Sequence, residues 1–227
     1  MIMRSASDRG FLMLRPARFA WRRALAVWRR LLSSEILLGS GFHMRVVRRV
    51  WDWRGRPVPP PHEVKRLLVR EVARDCRCRV LVETGTHEGY MLLANHRHFA
   101  RLVSIELEDE LWRRASVRLS GLHNVTVLHG DSSTVLPPVI QSLREPTVFW
   151  LDAHYSAGGT AHGVYETPIV EEIRTILASQ DALAGSVVLI DDARCFGEGD
   201  YPTIDQLAAL ISPRPIEVAD DVLRFEI

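Results

Sequence analysis

The stretch RVLVETGTHEGYMLLANHRHFARLVSIE, residues 79–106, decides how the rest of the chain is read. Residues 79–84 form a short apolar run that closes on Glu83 and Thr84 and passes into a turn carrying Gly85 and Gly89. Residues 90–98 have helical spacing, and residues 102–106 are apolar again and end in Glu106. A strand, a glycine turn, a helix and a second strand in this order make a βαβ unit, with parallel strands and a right-handed crossover.

Outward from this unit the alternation continues. The spacing predicts helices over 63–75, 108–119, 133–143, 168–179 and 202–211, and strands over 125–128, 147–152 and 186–191. Two further strands fall near 216–219 and 222–227. The runs VLVET, VFWLD and SVVLID are apolar almost throughout, as strands covered on both faces are. Only Asp220 and Asp221 separate the last two strands, too little for a parallel crossover, so they form a hairpin. The predicted fold is α/β: a Rossmann-like doubly wound sheet of seven strands, six parallel and the last antiparallel, with helices on both faces.

Composition bounds the alternatives. A chain of 227 residues with 47% hydrophobic and 25% charged residues is neither disordered, collagenous nor a disulfide-stapled miniprotein. Its length suits one substantial domain with an appendage. Three cysteines, Cys76, Cys78 and Cys195, make an odd count that favours a reducing compartment and a cytoplasmic location. The net charge of +1 conceals a division: 13 basic and 3 acidic residues through Arg56, against 16 and 25 in the remainder.

In the basic head, Trp21, Leu25, Trp28 and Leu32 share one face of a helical wheel, and Arg22, Arg23, Arg29 and Arg30 the other. Arginines recur too often for a membrane-spanning helix. The segment reads as an interfacial helix, with peripheral contact to an anionic membrane through residues 11–50 at the inner membrane face, as a helix packed on the body, or as a targeting peptide. It lacks the pattern of an RNA-binding module, so nucleic acid is not the expected partner. The stretch RGRPVPPPH, 54–62, cannot continue a helix and reads as a stiff linker. Residues 1–56 are accordingly a basic amphipathic segment with the start of the linker, and 57–227 the α/β body. Arginine far in excess of lysine points to a bacterial source with a GC-rich genome.

Ligands of open α/β sheets bind outside the carboxyl ends of the strands. Those ends carry Glu83, Glu106, Asp131, Asp152, Asp191 and Asp192. The turn Glu83 to Gly89 lets the backbone approach a ligand before a helix N-terminus, yet it is neither G-x-G-x-x-G nor a P-loop, which argues against a nicotinamide-dependent oxidoreductase. Glu106 is placed to accept hydrogen bonds from ribose hydroxyls, or simply to start a helix. Asp131 reads equally as a helix N-cap.

The successive motifs VETGTHEG, SIELED, LHGDSS, FWLDAHYS and VLIDDAR resemble those of class I S-adenosylmethionine (SAM)-dependent methyltransferases over residues 63–227. Within that class the chain resembles the metal-dependent O-methyltransferases of the catechol and macrocin (sugar) type. The resemblance implies that Glu83, Thr84, Gly85, Thr86 and Gly89 hold the methionine part of the cofactor, that Glu106 binds the ribose, and that Asp131 and Ser132 lie by the adenine, with Asp152 beside the reacting centre. His87 departs from the glycine common at its place. The resemblance also implies a Mg2+ ion on Asp152, Asp191 and Asp192, whose hard oxygens suit it. The metal would orient an acceptor hydroxyl, and His154, then Tyr155, is the expected base. The catechol enzyme's pattern has a lysine near this point, whereas Lys65 lies far upstream in the sequence. The acceptor implied is a small hydroxylated molecule, and a homo-oligomer is compatible with the sequence. The competing reading is a non-catalytic Rossmann-like SAM-binding or scaffold module docked through its basic helix.

Overall fold

The computed structural model describes residues 40–152 and 167–227. In chain order they form α1 (Gly41–Trp53), α2 (His62–Asp75), β1 (Val80–Thr84), α3 (Tyr90–Asn95), β2 (Arg101–Glu106), α4 (Asp109–Leu119), β3 (Val125–His129), α5 (Ser132–Gln141) and β4 (Thr147–Leu151). They continue with α6 (Ile169–Ala178), β5 (Val187–Ile190), α7 (Ile204–Ile211), β6 (Glu217–Ala219) and β7 (Val222–Glu226), with short 3-10 turns at Gln180–Leu183 and Ala193–Cys195.

The seven strands make one sheet in the order β3-β2-β1-β4-β5-β7-β6. β1 pairs in parallel with β2 and β4, β2 with β3, and β4 with β5. β7 runs antiparallel to both β5 and β6, so six strands share a direction and one opposes them. The reversal is made by Asp220 and Asp221 at φ 54° and 63°, the left-handed pair that a two-residue hairpin turn of matching twist demands. Asp accepts this region better than most side chains because its short polar group can bond locally.

Alternation along the strands divides the core in two. Val80, Val82, Val103, Ile105, Phe149, Leu151, Val188 and Ile190 face α5, α6 and α7. Leu81, Leu102, Val148, Trp150, Val187 and Leu189 face α2, α3 and α4. Every residue of β1, β4 and β5 is buried, which explains their continuous apolar sequence, while edge strand β6 is exposed throughout.

The helices have identifiable starts. Glu108 caps α4 by accepting from Glu110 and Leu111 N–H, Asp131 caps α5, and Thr203 with Gln206 forms a capping box on α7. α3 ends at Asn95, earlier than its spacing predicts. The buried Asn95 amide donates to Met91 and Arg66 carbonyls and closes the helix there.

The spacing does not foretell α1. Ser40 caps it, and Met44 and Trp51 are buried. Trp51 Nε1 donates to Pro57 O at 2.8 Å, holding the proline stretch against the helix. Arg48 and Arg56 both reach Asp220 in the β6–β7 turn, at 3.3 and 3.2 Å. The amphipathic stretch 21–32 lies outside the described residues.

Candidate active site

The chain runs from β1 outward to β3 and then returns to β4 on the other side of β1. This reversal opens a crevice beyond the carboxyl ends of β1 and β4, where open α/β sheets bind ligands. Its floor is pinned by Asp152 N donating to Thr84 O at 3.1 Å and Asp191 N donating to Leu151 O at 3.0 Å.

On the β1 side, Gly85 and Gly89 adopt φ 84° and 74°, with His87 also left-handed. A Cβ on Gly89 would come within 2.9 Å of Leu119, so glycine is required there twice over. Thr86 and Ser104 hydroxyls are 2.6 Å apart, and Ser104 Oγ donates to Glu83 Oε2 at 2.6 Å. Burial pushes the Glu83 carboxyl well above the usual range against that hydrogen bond, and the charges of Asp152 and Glu106 push the same way.

Glu106 accepts from His87 N at 2.7 Å through one oxygen and from Glu108 N at 3.0 Å through the other. One lone pair on each oxygen remains for a further donor, as a ribose diol requires. Asp131 is the α5 N-cap, with Oδ1 accepting from Ser133 N at 2.8 Å, and Ser132 beside it is buried. The glycine turn, the two-pronged Glu106 and the surplus of buried carboxylate fit a cationic nucleoside such as SAM.

On the β4–β5 side the structure brings in a residue that the sequence reading set aside. Lys65, in the first turns of α2, has Nζ 2.6 Å from Asp191 Oδ2 and 3.1 Å from Asp192 Oδ1. It is 7% exposed. Burial works to lower its pKa, but Asp191 and then Asp192 outweigh that and hold the ammonium above the ordinary lysine value. Burial likewise works to raise Asp192, and Lys65 with Arg194 overcomes it and holds that carboxyl low. Asp191 is pushed up by burial and then by Asp152, which places Asp152 within electrostatic reach of the pair. With an ammonium at hydrogen-bond distance, the contact is an ion pair.

The expected Mg2+ site on Asp152, Asp191 and Asp192 does not fit this arrangement. Asp191 spends Oδ2 on Lys65 and Oδ1 on Asp192 N, while Asp192 Oδ1 serves both Lys65 and Arg194. Arg194 also bonds Asp221 through its backbone and its side chain. Among the described residues no trio of His, Cys, Asp or Glu converges to hold a metal. Mg2+ demands near-ideal octahedral ligands at about 2 Å, and a dication sharing the oxygen already held by an ammonium would be strongly repelled.

A small cavity beside this network is lined by Leu151, Asp152, Thr167, Ile190, Asp191 and Tyr201. Burial raises the Tyr201 phenol to about 12, so it stays protonated. Phe196 meets Tyr201 edge-on at 5.4 Å within the segment that follows β5. His62, one turn before Lys65, is lowered by partial desolvation, then by Arg66 and Lys65, although it is exposed; Asp152 pulls the other way. The expected bases His154 and Tyr155 lie outside the described residues.

Sequence reasoning thus missed Lys65, Tyr201 and His62. One signal was present: the chain has a single lysine among 29 basic residues.

No protein-family model matches the chain, and no curated protein matches it. Solved structures do. The SAH-bound Podospora anserina methyltransferase PaMTH1 superposes with TM-score 0.56 at 16% identity, covering 98% of this chain and 99% of that one. The O-methyltransferase TomG from Streptomyces achromogenes, in complex with SAM, gives TM-score 0.54 at 20% identity over 80% and 87% of the two chains. The O-methyltransferase from Bacillus cereus in complex with SAH gives 0.53 at 14% identity over 87% and 96%. The likeness is one of architecture, and this chain has the Rossmann-like fold of SAM-dependent methyltransferases.

Proposed function

We propose that the chain is a SAM-dependent O-methyltransferase acting on the hydroxyl of a small polar or glycosidic acceptor. The observation that carries this reading is the gathering of carboxylates, Glu83 and Glu106 buried and Asp152 half-buried, around a glycine turn at the β1–β4 crevice. Such a site favours a cationic ligand, whose arrival relieves the mutual repulsion of the carboxylates.

Bound SAM supplies an electrophilic methyl group. Glu83, Thr84, Gly85, Thr86 and Gly89 hold its amino-acid end, Glu106 its ribose hydroxyls, and Asp131 with Ser132 the adenine side. Asp152 borders the reacting centre. The acceptor oxygen gains the methyl as the carbon–sulfur bond breaks with its electron pair on sulfur. The hydroxyl proton passes to His154, with Tyr155 the next choice. Mg2+ has no part in this scheme, because Lys65 engages the carboxylates that would bind it.

Calorimetric titration with SAM and S-adenosylhomocysteine tests the reading. Micromolar binding is expected, weakened at least tenfold by Glu106→Ala, which removes both ribose acceptors. Absence of binding would favour the scaffold alternative.

Peripheral contact with an anionic membrane through residues 11–50 belongs to the same proposal. It is supported by the exposed row Phe42, Val46, Val50 and Trp53 along α1, interleaved with Arg45 and Arg49. Phe42→Ser with Val46→Ser should lower co-sedimentation with phosphatidylserine vesicles; equal pelleting of both proteins would reject the contact.

A further inference from the structure

A single lysine in a chain that otherwise uses arginine for every side-chain cation is placed where it can least easily be kept. Lys65 is buried at the carboxyl end of β5, bridging Asp191 and Asp192, 126 and 127 residues further along the chain. An arginine there would present a broad planar fork suited to one carboxylate; an ammonium is a compact point charge that can sit between two. Two of its three N–H donors are taken by Asp191 and Asp192, and among the described residues the third has no partner. The cavity lined by Asp152, Asp191, Thr167 and Tyr201 adjoins the same carboxylates.

We infer that Lys65 is a built-in cation: its ammonium holds the charge-balancing place between Asp191 and Asp192 that the family resemblance gives to a divalent metal. The inference rests on the methyltransferase reading for the role of the site, and on the ion-pair geometry alone for the identity of the cation. Asp191, which lines the cavity, and Asp192 beside it are thereby held in place without a metal. An acceptor at this site then has no need of a chelating diol, which would require two coordination positions on a metal.

The test uses Mn2+ itself as probe, followed by the electron paramagnetic resonance signal of the free ion, on the full chain with and without S-adenosylhomocysteine. The unaltered chain is expected to bind no stoichiometric Mn2+ at millimolar concentration, and any methyl transfer is expected to survive EDTA unchanged. Lys65→Met, or Lys65→Gln should that chain not fold, leaves Asp191 without its cation and Asp192 with Arg194 alone, and should bind Mn2+ at least tenfold more tightly. Lys65→Arg keeps a positive charge and should exclude the ion as the unaltered chain does. One Mn2+ bound by the unaltered chain and lost in Asp191→Asn overturns the inference, as does a neutral Lys65 variant that binds no more tightly. S-adenosylhomocysteine titrations on the same samples keep the two readings apart: failure to bind it rejects the methyltransferase while the Mn2+ result still decides the cation.

Discussion

Glu172 on α6 is fully buried, with Thr84 Oγ1 donating to Oε2 at 3.3 Å and no partner for Oε1. Burial raises its carboxyl from 4.5 to about 7, against the hydroxyls of Ser132 and Thr84 and with help from Asp131. An acid whose pKa is higher in the folded state favours folding while it is protonated. That contribution is whole below pH 4.5, declines as the unfolded chain ionises, and is gone once pH passes 7. Its size is about 3 kcal/mol at most. Glu172→Gln should therefore flatten stability between pH 5 and 8 relative to the unaltered chain, measured by urea denaturation. Parallel pH profiles for the two proteins would show that Glu172 does not carry the effect. None of this is legible in VEEIR, where Glu171 and Glu172 look alike; burial and the contact with β1 separate them. Glu83 and Glu106, by contrast, were legible because strand ends in a parallel sheet announce themselves.

Among the elements, α1 marks the limit of reading charge from a window. Its arginines look like a polyanion-binding surface when counted along the sequence. In the fold, Arg48 and Arg56 are engaged by Asp220, with Asp52 and Glu71 close by. Which arginines face a partner depends on a turn over 160 residues away, and no local pattern encodes that. The buried half of α1 should matter more for stability than these ion pairs. Trp51 is 3% exposed, and Trp51→Ala should cost about 3–5 kcal/mol in urea denaturation. Asp220→Asn loses partly solvated pairs and should cost about 1 kcal/mol or less. A reversed order would mean that α1 is held by charge rather than by packing. Strands and the hairpin were read nearly to the residue, since β-alternation and a two-residue connection leave few alternatives. α3 was overextended because only a tertiary contact, Asn95 to Arg66 O, stops it.

At the scale of the whole molecule, sequence order and spatial order part company at the crevice. The sheet order places β4 next to β1, although β2 and β3 lie between them along the chain. What the motif succession did not imply is that the first turns of α2 reach across to β5. The sequence reading set Lys65 aside for its distance along the chain, and it lies 2.6 Å from Asp191. A chain can show which strands exist and where they end more readily than which helix overhangs a neighbour, because overhang depends on crossing geometry and not on periodicity.

The concealment of Lys65 also makes the folded chain nearly invisible to reagents that acylate ε-amino groups. It offers no other lysine, and this one is 7% exposed inside an ion pair. Acylation of that amine requires α2 to part from the end of β5, so the rate at which an N-hydroxysuccinimide ester modifies it becomes a clock for local opening of the site. Ligands that close the crevice should slow the clock, and denaturant should start it.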